Sequence, residues 1–385
     1  MPPYILIPDP FPGKGPLPAN APDFYERDEL FTNVQNLLDA GDSVSLVGER
    51  KAGKTSFLKY LLTQLSSEKF IPVFVDAQGV APKTDKVFLG RLVRNAANTI
   101  ERITPTKKPI KIKTLTAESD ETVYQAFEDD LETLRAILPA HTNEKKRRLV
   151  WLIDEIETLR GYENTELFTF LRPLAQTDPD FRMVVAGYDV LYTLSSRSEW
   201  SPFFNAFRHL RLEGLNPVVA KKLIEDAVIG MGVTIEPNLD EALLEWTGQK
   251  PFFLKWILSK LAEALNQQKI DHHINAGVLE AAQMLFLGEH ELLLHFAHLW
   301  NTHTTDSQQK VLSLVAAQTG PYHQPKILDH LKEKKLIEGD KQASQHLIDD
   351  LTRLNQLGFL YERIGSYTFT SSCLQAWIKE NKPLL

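Results

Sequence analysis

The stretch Gly48-Glu49-Arg50-Lys51-Ala52-Gly53-Lys54-Thr55 places two glycines, a lysine and a hydroxyl at fixed intervals. Glycine at 48 and 53 lets the backbone bend until successive N–H groups face inward on an anion. Lys54 adds a positive charge, and the Thr55 hydroxyl is a hard oxygen ligand suited to Mg²⁺. The spacing G-x-x-x-x-G-K-[ST] is that of a loop cradling the phosphates of a nucleotide. Glu49, Arg50, Lys51 and Ala52 inside the loop, and Ser56 just after it, are expected to line the same site.

A second group of residues supplies what such a loop lacks. Leu149-Val150-Trp151-Leu152-Ile153 is apolar and ends in the adjacent carboxylates Asp154 and Glu155. An aspartate at the tip of a strand beside a phosphate loop can share Mg²⁺ with Thr55, often through water. A glutamate next to it can take a proton from an attacking water, with Lys54 stabilising the phosphate charge. These assignments make Glu155 and Lys54 the catalytic candidates and Thr55 and Asp154 the metal ligands. The bland alternative is a strand ending in a solvated acidic turn, Asp154-Glu155-Ile156-Glu157. Asp76 and Gln78 end another apolar run; strand termination is the expected role, and positioning water is the alternative for Gln78. Arg197, Arg208 and Arg211 are candidates for an arginine offered to a neighbouring molecule's nucleotide. The glutamate after Asp154 favours ATP, and the chain has no Asn-Lys-x-Asp guanine-reading motif.

These residues need elements to hold them. Five short apolar runs, Ser43–Gly48, Ile71–Asp76, Leu149–Asp154, Met183–Gly187 and Phe207–Leu212, alternate with amphipathic helical stretches. That alternation predicts an α/β fold with a parallel sheet. After the phosphate loop, Phe57, Leu58, Leu61, Leu62 and Leu65 fall at helical spacing, so the loop opens a helix whose positive end faces the anion. Thr104–Glu118, with Lys107, Lys108, Lys111 and Lys113, reads as a mobile surface loop or insertion. Residues 1–22 are crowded with proline and predict an extended arm, loosely packed or lying across the body or a partner.

Beyond residue 212 the strand signal fades. Helical patterns cover 217–232, 239–246, 251–267 and 275–300, followed by helices near 305–317, 323–334 and 343–356, a hairpin turning at Ile364-Gly365, and a last helix near 372–380. Three helices and a hairpin are a winged-helix pattern. The expected domains are an arm at 1–22, a nucleotide-binding core at 23–212, a helical lid at 213–300 and a winged helix at 301–385.

The chain has 385 residues, 24% charged and 43% hydrophobic, with a formal net charge of −7. That balance argues against a protein devoted to coating nucleic acid or anionic membrane. One cysteine, Cys373, excludes an intramolecular disulfide framework and reads as a small packing residue. His295 and His298 sit at helical spacing without an evident third ligand and read as helix packing, as does the His272-His273 pair. No apolar run is long enough to span a bilayer and no signal-peptide pattern opens the chain, so a cytoplasmic setting is expected.

Several motifs in order resemble the AAA+/STAND class of signal-transduction ATPases, as found in archaea and bacteria. Phe24-Tyr25-Glu26-Arg27-Asp28-Glu29-Leu30 is similar to the opening motif Phe-x-Gly-Arg-x-x-Glu-Leu, which in the family frames the adenine. Glu26 stands in place of its Gly and one residue is missing, so Arg27 and the hydrophobic flanks carry over. Thr247-Gly248-Gln249-Lys250-Pro251-Phe252-Phe253-Leu254 resembles Thr-Gly-Gly-x-Pro-Tyr-x-Leu, whose proline senses the nucleotide; here that residue is Pro251, and Gln249 replaces a Gly. Gly187-Tyr188-Asp189 lacks the Asn or Arg expected of a sensor at the fourth strand. The resemblance implies bound ATP or ADP with Mg²⁺ and a switch that turns over ATP slowly.

The family usually appends a repeat sensor and an effector, so a protein partner supplying either is expected, and nucleotide-dependent self-assembly is a further expectation. The alternative is a DNA-binding AAA+ ATPase, similar to origin-recognition or transcriptional regulators, using the winged helix. Residues 301–385 hold 10 Lys/Arg and 9 Asp/Glu. A near-neutral charge suits protein packing better than a phosphate backbone.

Overall fold

The computed structural model describes the chain except residues 1–3, 14, 19–20, 22–23, 26, 66–68, 81–83, 105–108, 139–146, 162–165, 179, 189–202, 204, 270–271, 337–341 and 384–385. Glu26, Lys107, Lys108, Asp189 and Arg197 therefore lie outside the described residues. The chain forms two compact units, one of Pro16–Leu212 and one of Met1–Gly15 with Glu213–Leu385.

The first unit is built on five parallel strands: β1 (Ser43–Val47), β2 (Phe70–Asp76), β3 (Arg148–Asp154), β4 (Phe181–Gly187) and β5 (Phe207–Arg211). Their order across the sheet is β2-β3-β4-β1-β5. Helices α1 (Asp28–Ala40), α2 (Lys54–Gln64), α3 (Asp85–Ile103), α4 (Asp120–Ile137) and α5 (Glu166–Thr177) complete the described part. Successive strand side chains point to opposite faces. Val44, Leu46, Val150, Leu152, Val184 and Ala186 pack with α1 and α2 on one side. Val73, Val75, Trp151, Ile153, Met183 and Val185 pack with α3, α4 and α5 on the other. A sheet covered on both faces needs apolar residues at nearly every position, which is why its strands read as continuous apolar runs.

The segment after α3 departs from the expected mobile loop. Ile110 and Ile112 pack on the core, and Thr114–Thr116 form a 3₁₀ turn. The buried Asp130 carboxylate accepts the N–H groups of Lys113 and Thr114, both at 2.8 Å, and the Thr114 hydroxyl at 2.6 Å. Three donors satisfy a carboxylate that would otherwise be costly to bury, and they pin the segment to α4.

The second unit is mainly helical: α6 (Pro217–Met231), α7 (Leu239–Thr247), α8 (Pro251–Gln268), α9 (Ala276–Leu287), α10 (His290–His303), α11 (Asp306–Ala316), α12 (Gln324–Glu333), α13 (Ala343–Gln356) and α14 (Ser372–Asn381). Two-residue strands β6 (Thr234–Ile235) and β7 (His273–Ile274) pair in parallel. The expected single helix over 275–300 is two, α9 and α10, parting at Gly288. The hairpin is β9 (Leu360–Arg363) and β10 (Ser366–Phe369), with Ile364 and Gly365 at φ 52° and 69° as a tight two-residue turn requires. A third strand, β8 (Tyr322–His323), pairs with β10 and was not anticipated from sequence.

The proline-rich arm is docked along residues 4–12. The Asn266 side chain on α8 accepts the Ile7 N–H and donates to the Ile7 carbonyl, both at 2.9 Å. Asp9 accepts the Ser259 hydroxyl at 2.5 Å, and Lys255 lies over the Phe11 ring. Ile7 and Phe11 are buried. The arm is thus extended, as proline dictates, and held by side chains of α8.

Gly248 and Gln249 turn the chain from α7 into α8, at φ 59° and 60°. A Cβ at Gly248 would lie 2.1 Å from the Thr370 carbonyl oxygen. Gly248→Ala is expected to cost about 2–4 kcal/mol from overpacking plus left-handed strain, and so to lower the melting temperature by roughly 5–10 °C. A thermal melt unchanged by the substitution would contradict this close approach.

Candidate functional site

The site grows out of the end of β1. Gly48 leaves the strand where a Cβ would meet the Leu212 carbonyl oxygen at 2.6 Å, so the first loop glycine is required by contact. Lys51 and Gly53 then adopt left-handed backbone, φ 69° and 98°. This alternation folds the loop back on itself, with the Ala52 N–H bonded to the Glu49 carbonyl at 3.1 Å, and delivers the chain into α2. Left-handed backbone at a non-glycine residue stores strain of order 1–3 kcal/mol and clusters at functional loops.

Lys54 is buried at the first position of α2, and its ammonium donates to the Gly48 and Glu49 carbonyls, both at 2.8 Å. Burial lowers its pKa, while the carboxylates of Glu157, Glu155, Asp154 and Glu49 act to raise it. The Thr55 hydroxyl donates to Asp154 Oδ2 at 2.6 Å. This joins the loop to the tip of β3, although β4 stands between β1 and β3 in the sheet. Burial raises the Asp154 pKa, opposed by the Thr55 hydrogen bond.

Glu155 follows in left-handed backbone, φ 52°, its N–H donating to Asp154 Oδ1 at 3.1 Å. Burial raises the Glu155 pKa, and the charge and hydrogen bond of Glu157 raise it further; Lys54 and Arg50 pull the other way.

Residues 38–194 match the AAA domain family. The strand order, phosphate loop and acidic strand agree with that match. Residues 38–194 are an AAA-type P-loop domain.

The whole chain is similar in fold to a Walker-type ATPase of Pyrococcus abyssi, with a TM-score of 0.66, 15% identity, and coverage of 95% of this chain and 99% of that one. It is also similar to the ORC2 protein of Aeropyrum pernix, solved as ADPNP-ADP complexes, with a TM-score of 0.52, 14% identity, and coverage of 92% and 93%. At these identities the likeness is one of fold. No curated protein matches the chain.

Other candidate residues take their places around the AAA domain's loop. Arg27 donates to the Ala52 carbonyl at 3.1 Å, and burial lowers its pKa to about 10, which leaves it charged at neutral pH. Ser56 accepts the Leu17 N–H at 3.1 Å. Arg50 is exposed on the loop. Asp76 lies beside Asp154 in the β2–β3 register and accepts the Gln78 N–H at 2.9 Å, which is a strand-ending turn. Arg208 is exposed and pairs with Asp42 at 3.4 Å; Arg211 is exposed at the end of β5. Pro251 belongs to the other unit, where it begins α8.

Two residues gain importance that sequence reading did not give them. Tyr188, directly after β4, presents its ring 5.9 Å from the Lys54 ammonium, and its N–H donates to Glu157 Oε1 at 3.3 Å. The acid in Asp154-Glu155-Ile156-Glu157 was the only signal for Glu157, and it read equally well as solvated.

The residues present suit a nucleotide with Mg²⁺. Thr55 and Asp154 bring two oxygen donors together, and the loop ends in a lysine whose ammonium lies against the Gly48 and Glu49 carbonyls. Among the described residues no group of three or more His, Cys, Asp or Glu side chains could hold a metal ion. A Mg²⁺ at Thr55 and Asp154 would therefore take its remaining ligands from phosphates and water. Cys373 is buried, and burial pushes its thiol up to about 12, as suits a packing residue. No described helix is long and apolar enough to cross a membrane.

Proposed function

We propose that this chain binds ATP through Gly48–Ser56 and Arg27 and hydrolyses it slowly, acting as a STAND-type regulatory switch on a partner protein. The observation that carries the reading is the 2.6 Å bond from Thr55 to Asp154, which unites the phosphate loop with the acidic strand. The loop N–H groups and Lys54 hold the phosphates. Lys54 must leave the Gly48 and Glu49 carbonyls to do so. Mg²⁺ bound at Thr55 and Asp154 would neutralise phosphate charge. Glu155, once deprotonated, accepts a proton from the attacking water.

The switch part of the reading rests on the second unit. We assign residues 301–385 as a winged helix, from the helices α11, α12 and α13 and the sheet β8-β10-β9. The motif containing Pro251 touches the exit of its hairpin: Lys250 donates to the Thr370 hydroxyl at 3.2 Å, and Gly248 lies under the Thr370 carbonyl. A rearrangement at this motif has a short path to the C-terminal helices. A ligand shifts such a pair of states only by its differential affinity for them.

DNA binding by the winged helix is the second reading, and the fold likeness to the A. pernix ORC2 protein favours keeping it. The exposed side of α13 carries Ser344, Gln345, His346, Ile348, Asp349 and Thr352, and the half-buried Arg353 is the helix's one basic residue against Asp349 and Asp350, which supports protein packing instead.

The test is nucleotide analysis of the purified protein, with calorimetric titration of MgATP, phosphate release, and mass in solution with and without ATP. Bound ADP, saturable MgATP binding and slow turnover are the expected results, and absence of nucleotide binding would refute the site. Submicromolar, salt-dependent duplex binding at physiological salt would establish the second reading over the first.

A further inference from the structure

The stretch Leu212-Glu213-Gly214-Leu215 follows β5 and carries the chain out of the first unit and into the second. It is pinned at both ends. In the first unit the Leu212 N–H donates to the Val47 carbonyl at 2.7 Å, directly before the phosphate loop. In the second, the Leu215 N–H donates to the Gln249 carbonyl at 2.8 Å, within the motif that contains Pro251. Both leucines are buried. Three residues of chain reach at most about 11 Å, so the stretch holds little spare length between its two anchors.

Backbone meets backbone along this route, with no side chain between. A Cβ on Gly48 would lie 2.6 Å from the Leu212 carbonyl oxygen, and one on Gly214 would lie 2.6 Å from that of Gly248. One on Gly248 would come closer still to that of Thr370. Lys250 holds the last of these contacts by donating to the Thr370 hydroxyl at 3.2 Å. Each contact lies within a single unit, and the peptide bond from Leu212 to Glu213 joins the two sets. Close-packed groups have low compressibility and pass a displacement on.

We infer that Leu212–Leu215 couples occupancy of the phosphate loop to the Gly248–Pro251 motif and, through Thr370, to the C-terminal hairpin. This rests on the ATP binding proposed above and names how that same site is regulated. Nucleotide on the loop displaces Gly48, Leu212 follows, and Leu215 moves the turn at Gly248 and Gln249. Such coupling is reciprocal: strain placed on that turn changes MgATP affinity by the factor with which MgATP acts on the turn. Gly214 is the place to apply the strain, because it belongs to the unit that does not contain the phosphate loop.

The experiment measures amide exchange in the full-length wild type with and without MgATP, and MgATP affinity by calorimetry for the wild type, Gly214→Ala and Gly230→Ala. In the wild type, MgATP should change exchange severalfold at the Leu215 amide and at the Thr370 amide, which donates to the Phe359 carbonyl. The Glu236 amide, bonded to the Ile274 carbonyl in the same unit, should change less than twofold. Gly214→Ala should weaken MgATP binding by about tenfold or more, within the usual range of coupling between sites. Gly230→Ala, where an added Cβ meets nothing within 4 Å, should change it less than twofold. A cooperative thermal melt establishes that Gly214→Ala is folded, and the wild-type exchange measurement needs no variant.

A wild type that binds MgATP while Leu215 and Thr370 exchange as before would overturn the inference alone. So would a folded Gly214→Ala that binds MgATP as the wild type does. A wild type that fails to bind MgATP would refute the proposed function and this coupling with it.

Discussion

Lys54→Ala is expected to abolish MgATP binding, weakening it by at least about a hundredfold. Removing one partner of a buried charge pair costs about 3–5 kcal/mol, and each 1.4 kcal/mol is roughly a factor of ten. The local charges make the loss larger than that of one contact. Lys54 is the cation set among Glu157, Glu155, Asp154 and Glu49, and without it those carboxylates repel an incoming polyphosphate with Arg50 and Arg27 at the loop left to oppose them. The Gly48 and Glu49 carbonyls also lose their donor, so a thermal melt must accompany the titration. A folded variant that binds MgATP as the wild type does would remove Lys54 from the site.

Glu155→Gln is expected to keep MgATP affinity within a few-fold and to lower kcat by about 10²–10⁴, the usual worth of a positioned general base. Glutamine preserves size and removes basicity, so binding and chemistry separate. The same residue sets a pH dependence. Its carboxyl is held above the ordinary value, chiefly by burial and then by Glu157. A base works only when deprotonated, so kcat should fall as pH drops through this raised pKa. The acid limb should therefore lie above that of an exposed glutamate, and it should vanish in Glu155→Gln. Unaltered turnover in that variant would assign water activation to another group.

The parallel strands were legible to within two residues because both faces of the sheet are covered. Leu149–Ile153 must be apolar throughout, and little else in a chain looks like that. The helix after the phosphate loop was legible from its periodic leucines, and the hairpin from Ile364-Gly365. Other features rest on distant partners. The segment ending near Glu118 looked like a free loop because Asp130, which holds it, comes later in the chain. Strand β8 is two residues long and exists only because β10 is there to pair with it. The division of α9 from α10 at Gly288 is a local break that helical periodicity carries across.

For the candidate site, spacing named Gly48, Gly53, Lys54 and Thr55, and strand polarity named Asp154 and Glu155. It could not show that Glu155 takes left-handed backbone, since nothing in a Glu-Ile-Glu sequence asks for it. Nor could it separate Glu157 from a solvated acid, because what marks it is the N–H of Tyr188, some thirty residues on. Arg27 was found by resemblance, but its bond to the Ala52 carbonyl depends on how α1 is set against the loop.

By itself the sequence determined the α/β core, the phosphate loop and the pair of carboxylates, since these follow from local spacing and from continuous apolar runs. The tertiary structure decided which carboxylate meets Thr55, what presses on Glu155, and where the proline-rich arm lies. Those are matters of distance between residues remote in the chain. Burial, which moves a pKa, is a property of the packed surroundings and not of any residue's neighbours in sequence.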